Sequence, residues 1–191
     1  MQAPLVRSYP WMSLALTLGW LSLSAKWQQP WGSLIWGFAL TWFCGSLYWG
    51  WYRLEPLWHL PMEAIALPFA LWGLGHSRYR VGSSFYLGSL WGTIVTDIYF
   101  WLTDLLPTWR VLANLDPEQP EVTTALYDAF ARIQTPWGLG LGIILALSLG
   151  WLAKAVMTTK SIDRYVFAGA ILFTLVTDSL FAFGVFMLIS A

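Results

Sequence analysis

The sequence has little charge. Only 10% of its 191 residues are Asp, Glu, Lys or Arg, whereas soluble globular domains carry roughly 25%. Hydrophobic residues make up 58% of the chain and aromatic residues 18%. So apolar a composition excludes a disordered protein and disfavours an ordinary soluble enzyme. The ten basic residues are balanced by ten acidic ones, so the net charge offers no attraction for a nucleic acid.

Cysteine and catalytic signatures are also scarce. The single cysteine, Cys44, cannot form an internal disulfide or a cysteine-based metal site. The sequence contains no HExxH, GxSxG or Walker phosphate-loop pattern, each of which places specific groups for hydrolysis or phosphate binding. No catalytic residue and no cofactor can be named from such patterns, and a non-enzymatic role is favoured. The remaining class is an integral membrane protein whose first partner is the lipid bilayer.

Long hydrophobic runs dominate the chain. A membrane-crossing helix needs about 20 mostly apolar residues. Six such stretches, bounded by charge, proline or glycine, lie at residues 9–25, 31–52, 55–75, 83–104, 136–156 and 164–190. They predict an all-α, multi-pass membrane helix bundle, with residues 1–191 as one integral membrane domain.

The loops predict an orientation. Six of the ten basic residues lie in short loops on the side opposite both termini, and Lys and Arg favour the cytoplasmic side. The termini are therefore expected outside or in a lumen. A further helix before Met1 would give seven spans and bring the N-terminus to the cytoplasmic side.

The one long connection contains an amphipathic segment at residues 120–134. Its sequence is PEVTTALYDAFARIQ, and its apolar residues recur at helical spacing: Val122, Leu126, Ala129, Phe130 and Ile133. Such a pattern predicts a short helix with one apolar face. We expect it to lie on the membrane surface, with docking onto a partner protein as the alternative.

Two of the apolar stretches resemble each other. Residues 88–100 read GSLWGTIVTDIYF and residues 169–181 read GAILFTLVTDSLF. Gly, Thr, Val, Thr, Asp and Phe recur at matching positions, so six of 13 are identical. Both copies place an aspartate in the same V-T-D frame, Asp97 in the first and Asp178 in the second. Duplication and chance similarity between apolar segments both remain open.

A small set of polar residues lies inside the apolar stretches. An ionisable side chain within a membrane span costs several kcal/mol unless it is paired, so it is a functional candidate by default. His59 and Glu63 are spaced i,i+4 and share one helix face, with Pro61 between them to kink the helix. Similar depths in the bilayer lead us to expect one shared ligand-binding or relay site formed by His59, Glu63, Asp97, Asp178, Thr96 and Thr177.

Three interpretations of this set remain open. In the first it is structural, with the aspartates bonded to neighbouring threonine or tryptophan donors and His59 paired with Glu63. In the second it relays a proton or holds a cation, because a histidine with carboxylates suits Zn, Mn or Fe. The metal ligands would then be His59, Glu63, Asp97 and Asp178. In the third, His59 ligates the central metal of a haem or a chlorophyll-like pigment.

Four segments carry a resemblance to a known family. They are SLYWGWYRLEPLWHLPMEAIALPFALWGL (46–74), QAPLVRSYPW (2–11), FYLGSLWGTIVTDIYFWLTDLLPTWR (85–110) and QTPWG (134–138). Together they resemble an uncharacterised integral membrane family of cyanobacteria, a domain of unknown function, over essentially the whole chain. The resemblance implies a cyanobacterial thylakoid or plasma membrane, and it implies no activity and no site residues.

These observations support three functional hypotheses. The first is a non-enzymatic factor that assembles, or handles a cofactor for, a photosynthetic or respiratory membrane complex. The second is a small-solute or ion transporter, or its membrane substrate-binding component, that uses Asp97 and Asp178. The third is a membrane-embedded metalloenzyme that uses His59, Glu63 and the two aspartates.

Overall fold

The protein is entirely helical in the part of the chain that the computed structural model describes, residues 3–115 and 119–190, with side chains described for 5–115 and 119–187. This confirms the all-α prediction at the level of fold class. The helices are α1 (Ala3–Ser8), α2 (Pro10–Lys26), α3 (Trp31–Leu47), α4 (His59–Glu63), α5 (Leu67–Leu74), α6 (Arg80–Leu102), α7 (Leu106–Asn114), α8 (Pro120–Ile133), α9 (Pro136–Met157) and α10 (Ile162–Ser190). A π-helical turn, Tyr48–Tyr52, extends α3, and a 3-10 turn, Pro56–Trp58, precedes α4.

Helix α6 is the central element of the bundle. It packs against α3 and α5 on one side and against α10 on the other. Small residues allow the close approach to α3, because a Cβ at Gly82 would overlap the carbonyl oxygen of Ser33. The Gly82 amide also donates to Ser33 Oγ at 2.8 Å. Close backbone contact through glycine and serine is typical of helix pairs in membranes.

Two helices are long and apolar enough to cross a membrane. These are α9, over Pro136–Met157, and α10, over Ile162–Met187, each with a mean hydropathy of 1.9. Helices α2 and α3 have 17 residues each, which is short of the roughly 20 that a span needs. Helix α6 has 23 residues but includes Ser83, Ser84 and Asp97. By length and hydropathy, the structure therefore supports two of the six predicted spans.

The predicted stretch at 55–75 is not one helix. It is divided into the 3-10 turn, α4 and α5, with a tight turn at residues 64–66. Pro68 has no amide hydrogen for the Ala64 carbonyl, which accepts instead from the Leu67 amide at 2.9 Å. The expected kink at Pro61 thus lies inside a longer interruption. Proline spacing causes the break, because Pro56, Pro61 and Pro68 each remove a helical donor.

Helix α8 agrees with the predicted amphipathic segment to within one residue. The five residues of its predicted apolar face are all partly covered, whereas Glu121, Asp128 and Arg132 are exposed. It packs against α7, α9 and α10, and the rings of Phe130 and Phe186 are 5.8 Å apart. In this structure its apolar face is therefore at least partly covered by the protein's own helices.

Candidate functional site

A histidine–carboxylate pair joins α4 to α6. His59, the first residue of α4, places Nδ1 2.8 Å from Asp97 Oδ1 and 3.1 Å from Oδ2. Both side chains are only 16% exposed. An ionised carboxylate can only accept, so Nδ1 of His59 is the donor in this pair. The pair is a charge-assisted hydrogen bond in a largely desolvated position.

Aromatic rings enclose the imidazole. The ring centre of Tyr48, the first residue of the π-helical turn, lies 4.6 Å from that of His59, and the indole of Trp109 on α7 lies 5.2 Å from it. Phe100 packs against the same indole at 5.4 Å. Because these rings keep water away, the electrostatic attraction between His59 and Asp97 is stronger than in solvent.

The ion pair between Glu55 and Arg110 holds α7 over this site. Glu55 caps the 3-10 turn by accepting from the Leu57 amide at 3.2 Å. Its two carboxylate oxygens also accept from Arg110, at 2.8 Å from Nη2 and 3.1 Å from Nε. The guanidinium lowers the pKa of Glu55 below its ordinary value. Since Trp109 and Arg110 are consecutive, one short helix provides both the ring that packs on His59 and the cation that pairs with Glu55.

Glu63 lies one turn beyond His59, at the end of α4. Its backbone carbonyl has lost the helical partner at Leu67 and accepts instead from the Tyr86 hydroxyl at 2.5 Å. Its side chain is half-buried and receives no hydrogen bond from the described residues. The structure pairs His59 with Asp97 through Nδ1, and no hydrogen bond joins His59 to Glu63 among the described residues. Glu63 is thus a carboxyl group without a hydrogen-bond donor among the described residues, close to the His59–Asp97 pair.

The second aspartate belongs to a different pair. Thr96 Oγ1 donates to Asp178 Oδ2 at 2.8 Å, which links α6 to α10. Consecutive residues of a helix point about 100° apart, so Thr96 faces α10 while Asp97 faces α4. Thr177 donates to the Phe173 carbonyl of its own helix at 2.9 Å. Four of the six predicted residues therefore form two pairs on adjacent faces of α6, and Glu63 and Thr177 belong to neither pair.

The geometry does not supply a metal centre. Among the residues that the structure describes, no three His, Cys, Asp or Glu side chains are grouped so that they could hold a metal ion. The His59–Asp97 pair offers two ligands at most, fewer than the three or four protein ligands of zinc sites. The expected metal set of His59, Glu63, Asp97 and Asp178 stays a prediction that this arrangement does not support.

Sequence reasoning missed the residues that build the walls of the site. Tyr48 and Trp109 appeared only as members of an aromatic-rich chain, and Arg110 only as one of the ten basic residues. The available signal was the adjacent Trp and Arg at 109–110, one residue after a helix-starting Leu-Pro. That signal does not indicate that both side chains reach the 55–59 segment, about 50 residues earlier.

The comparisons with known proteins identify a family without an activity. Neither the curated proteins nor the solved structures provide a match to this chain. One family model does match, and it covers residues 1–186, so the resemblance to an uncharacterised family is confirmed over nearly the whole chain. The chain belongs to the family described as "Protein of unknown function (DUF3120)".

Proposed function

We propose that the protein is a multi-pass membrane transporter that couples movement of a small solute or ion to proton binding at His59, Asp97 and Glu63. Its spans would be α2, α3 with its π turn, the broken 56–74 segment, α6, α9 and α10. One observation carries the proposal: a largely buried His59–Asp97 pair adjoins an unpaired Glu63 carboxyl group on a broken helix.

The chemistry of these groups suits proton exchange. Histidine is the side chain whose charge ordinarily changes near neutral pH. A proton taken up at Nε2 of His59 would give an imidazolium that Asp97 already stabilises through Nδ1. The unpaired carboxyl of Glu63, one turn away, is the next acceptor. Ionisable groups inside membrane bundles typically mark such relays.

The broken helix supports transport rather than a purely structural role. Helices interrupted at membrane depth are tolerated where the free backbone is buried in protein or lines a pathway. Transporters build solute sites from such interrupted helices. Here the interruption between α4 and α5 leaves the Glu63 carbonyl dependent on Tyr86, a partner on another helix. A shift of α4 relative to α6 would break this contact and the His59–Asp97 bond together.

The test is current measurement on proteoliposomes adsorbed to a supported membrane. Sodium, potassium, ammonium, phosphate and neutral amino acids are applied in turn, with and without a pH gradient. We expect at least one solute to evoke a current that the pH gradient modulates and that Asp97→Asn and Glu63→Gln abolish. Asp128→Asn, an exposed change on α8, is the matched control and should leave the current intact. Currents that are equal in all variants contradict the proposal.

A second candidate, cofactor handling for a larger membrane complex, rests on one feature of the same histidine. Histidines that ligate metals usually hold their other ring nitrogen against a carboxylate, as His59 does with Asp97. Nε2 would then be available to bind the central metal of a haem or a chlorophyll-like pigment. An absorption spectrum of the protein purified from its native membrane tests this. A stoichiometric pigment that is lost in His59→Ala supports it, and a colourless protein eliminates it.

A further inference from the structure

A groove between α6 and α10 lies beside the second aspartate. Its volume is about 260 Å³. It is lined by Phe85, Ser89, Ala170, Phe173, Thr174, Thr177 and Asp178. Gly92 helps to shape it, because a Cβ there would overlap the Thr174 hydroxyl. None of these residues belongs to the His59–Asp97 pair, so the groove is a separate feature.

The polar atoms of the groove are mainly hydrogen-bond acceptors. The Thr174 hydroxyl donates to the Ala170 carbonyl at 3.2 Å, and the Thr177 hydroxyl donates to the Phe173 carbonyl at 2.9 Å. Each hydroxyl proton is thus used inside α10, which leaves the oxygen lone pairs available. Asp178 accepts from Thr96 through Oδ2 only. Its other oxygen, Oδ1, receives no donor from the described residues.

The charge of the groove is also unbalanced. Asp178 pairs with a neutral hydroxyl, and no Lys, Arg or His within the described residues forms an ion pair with it. The two phenylalanine rings at the walls present apolar surface, and aromatic faces attract cations. A suitable ligand therefore carries positive charge, several N–H donors and an apolar body.

We propose that this groove binds a primary ammonium ion attached to an aromatic or branched apolar group. The ammonium donates to Asp178 Oδ1 and to the hydroxyl oxygens of Thr174 and Thr177, while the apolar part lies between Phe85 and Phe173. The site stands without the proposed transport function. If both hold, the coupling runs through Thr96 and Asp97, consecutive residues that bond to Asp178 and to His59 respectively.

Isothermal titration calorimetry in a non-ionic detergent tests the site with three matched probes. Phenethylammonium has charge and N–H donors, phenethyltrimethylammonium has charge without N–H donors, and 2-phenylethanol has no charge. We expect saturable binding of one phenethylammonium per chain and at least tenfold weaker binding of the other two. Equal affinity for the ammonium and its trimethyl analogue overturns the proposal, as does the absence of saturable binding.

Variants locate the binding. Asp178→Asn should weaken phenethylammonium binding at least tenfold, and Ser89→Leu should block it by filling the groove without altering the carboxylate. Thr177→Val should weaken it about threefold. Asp128→Asn, an exposed change on α8 away from the groove, should leave it within twofold. Unchanged binding in both Asp178→Asn and Ser89→Leu refutes the assignment, whatever the transport measurements show.

Discussion

The two V-T-D segments share six of 13 residues but occupy different environments. In α6, Asp97 is 16% exposed and bonded to a histidine. In α10, Asp178 is exposed and bonded only to a threonine hydroxyl. The first glycines differ as well. A Cβ at Gly88 would overlap the Phe167 carbonyl oxygen, whereas a Cβ at Gly169 would meet nothing within 4 Å.

The contrast teaches that local sequence does not fix the role of a helical residue. Helix α6 has packed neighbours on several sides, so its polar groups are drawn into interhelical bonds. Helix α10 is at the edge of the bundle, and only 11% of its apolar window is buried. The same V-T-D frame therefore forms a closed pair in one helix and the rim of an open groove in the other.

The largest difference in folding stability is expected between substitutions at Gly88 and at Gly169. Gly88→Ala forces α6 away from α10, and overpacking of this kind costs up to about 3 kcal/mol, partly offset by about 1 kcal/mol of helix propensity. Gly169→Ala meets open space and should stabilise the protein by up to about 1 kcal/mol. Unfolding in mixed detergent micelles measures both free energies. Equal effects of the two changes would mean that α6 and α10 do not pack as described.

Substitution of Asp97 and of Asp178 should change the folding stability by amounts that differ less. Asp97→Asn removes the charge from a largely buried hydrogen bond to His59 and should cost about 2 kcal/mol. Asp178→Asn, at an exposed position where the amide oxygen can still accept from Thr96, should change stability by under about 0.5 kcal/mol. A double-mutant cycle with His59→Gln isolates the pair. A coupling energy near zero would show that the His59–Asp97 bond contributes nothing.

A still smaller difference in folding stability is expected between substitutions at Thr96 and at Thr177. Thr96→Val removes the interhelical donor to Asp178 and should cost about 1 kcal/mol. Thr177→Val removes only a bond to its own helix, which contributes little to stability, so it should be nearly neutral. Thermal unfolding of the two isosteric variants, side by side, checks the order. A reversed order would indicate that Thr177, and not Thr96, bonds between the helices.

The smallest expected effect is the pH dependence of the stability that the Glu55–Arg110 pair contributes beside the His59–Asp97 site. Arg110 lowers the pKa of Glu55, so their pair stabilises the protein above the ordinary glutamate pKa of about 4.3. That contribution is lost as the pH falls through the lowered value. The melting-temperature difference between the wild type and Arg110→Gln should be present at pH 7 and disappear in acid. Glu55→Gln, as the control, should make the difference independent of pH.

Parts of the fold and site were predictable for local reasons. The boundaries of α8 follow from apolar spacing, and those of α9 and α10 follow from long, mostly apolar runs between polar loops. His59, Glu63 and Asp97 were identified because ionisable residues stand out in apolar segments. The pairing of His59 with Asp97 was not predictable, because several carboxylates in the chain could have paired with His59. Only the packing of the helices brings Asp97 to it. The break at residues 64–66 exceeded the expected kink because several prolines act together.

The sequence by itself determined that the chain is all-helical and apolar, that it belongs to a family of unknown function, and that a few ionisable side chains lie within its apolar stretches. Composition and periodicity suffice for this, because burial of apolar surface and backbone hydrogen bonding depend on local pattern. Only the tertiary structure decided which groups meet: Asp97 with His59, Arg110 with Glu55, and Thr96 with Asp178. Those contacts join residues that are 38 to 82 positions apart in the sequence. Their geometry is set by the packing of helices against one another at glycine residues, and no local sequence pattern encodes that packing.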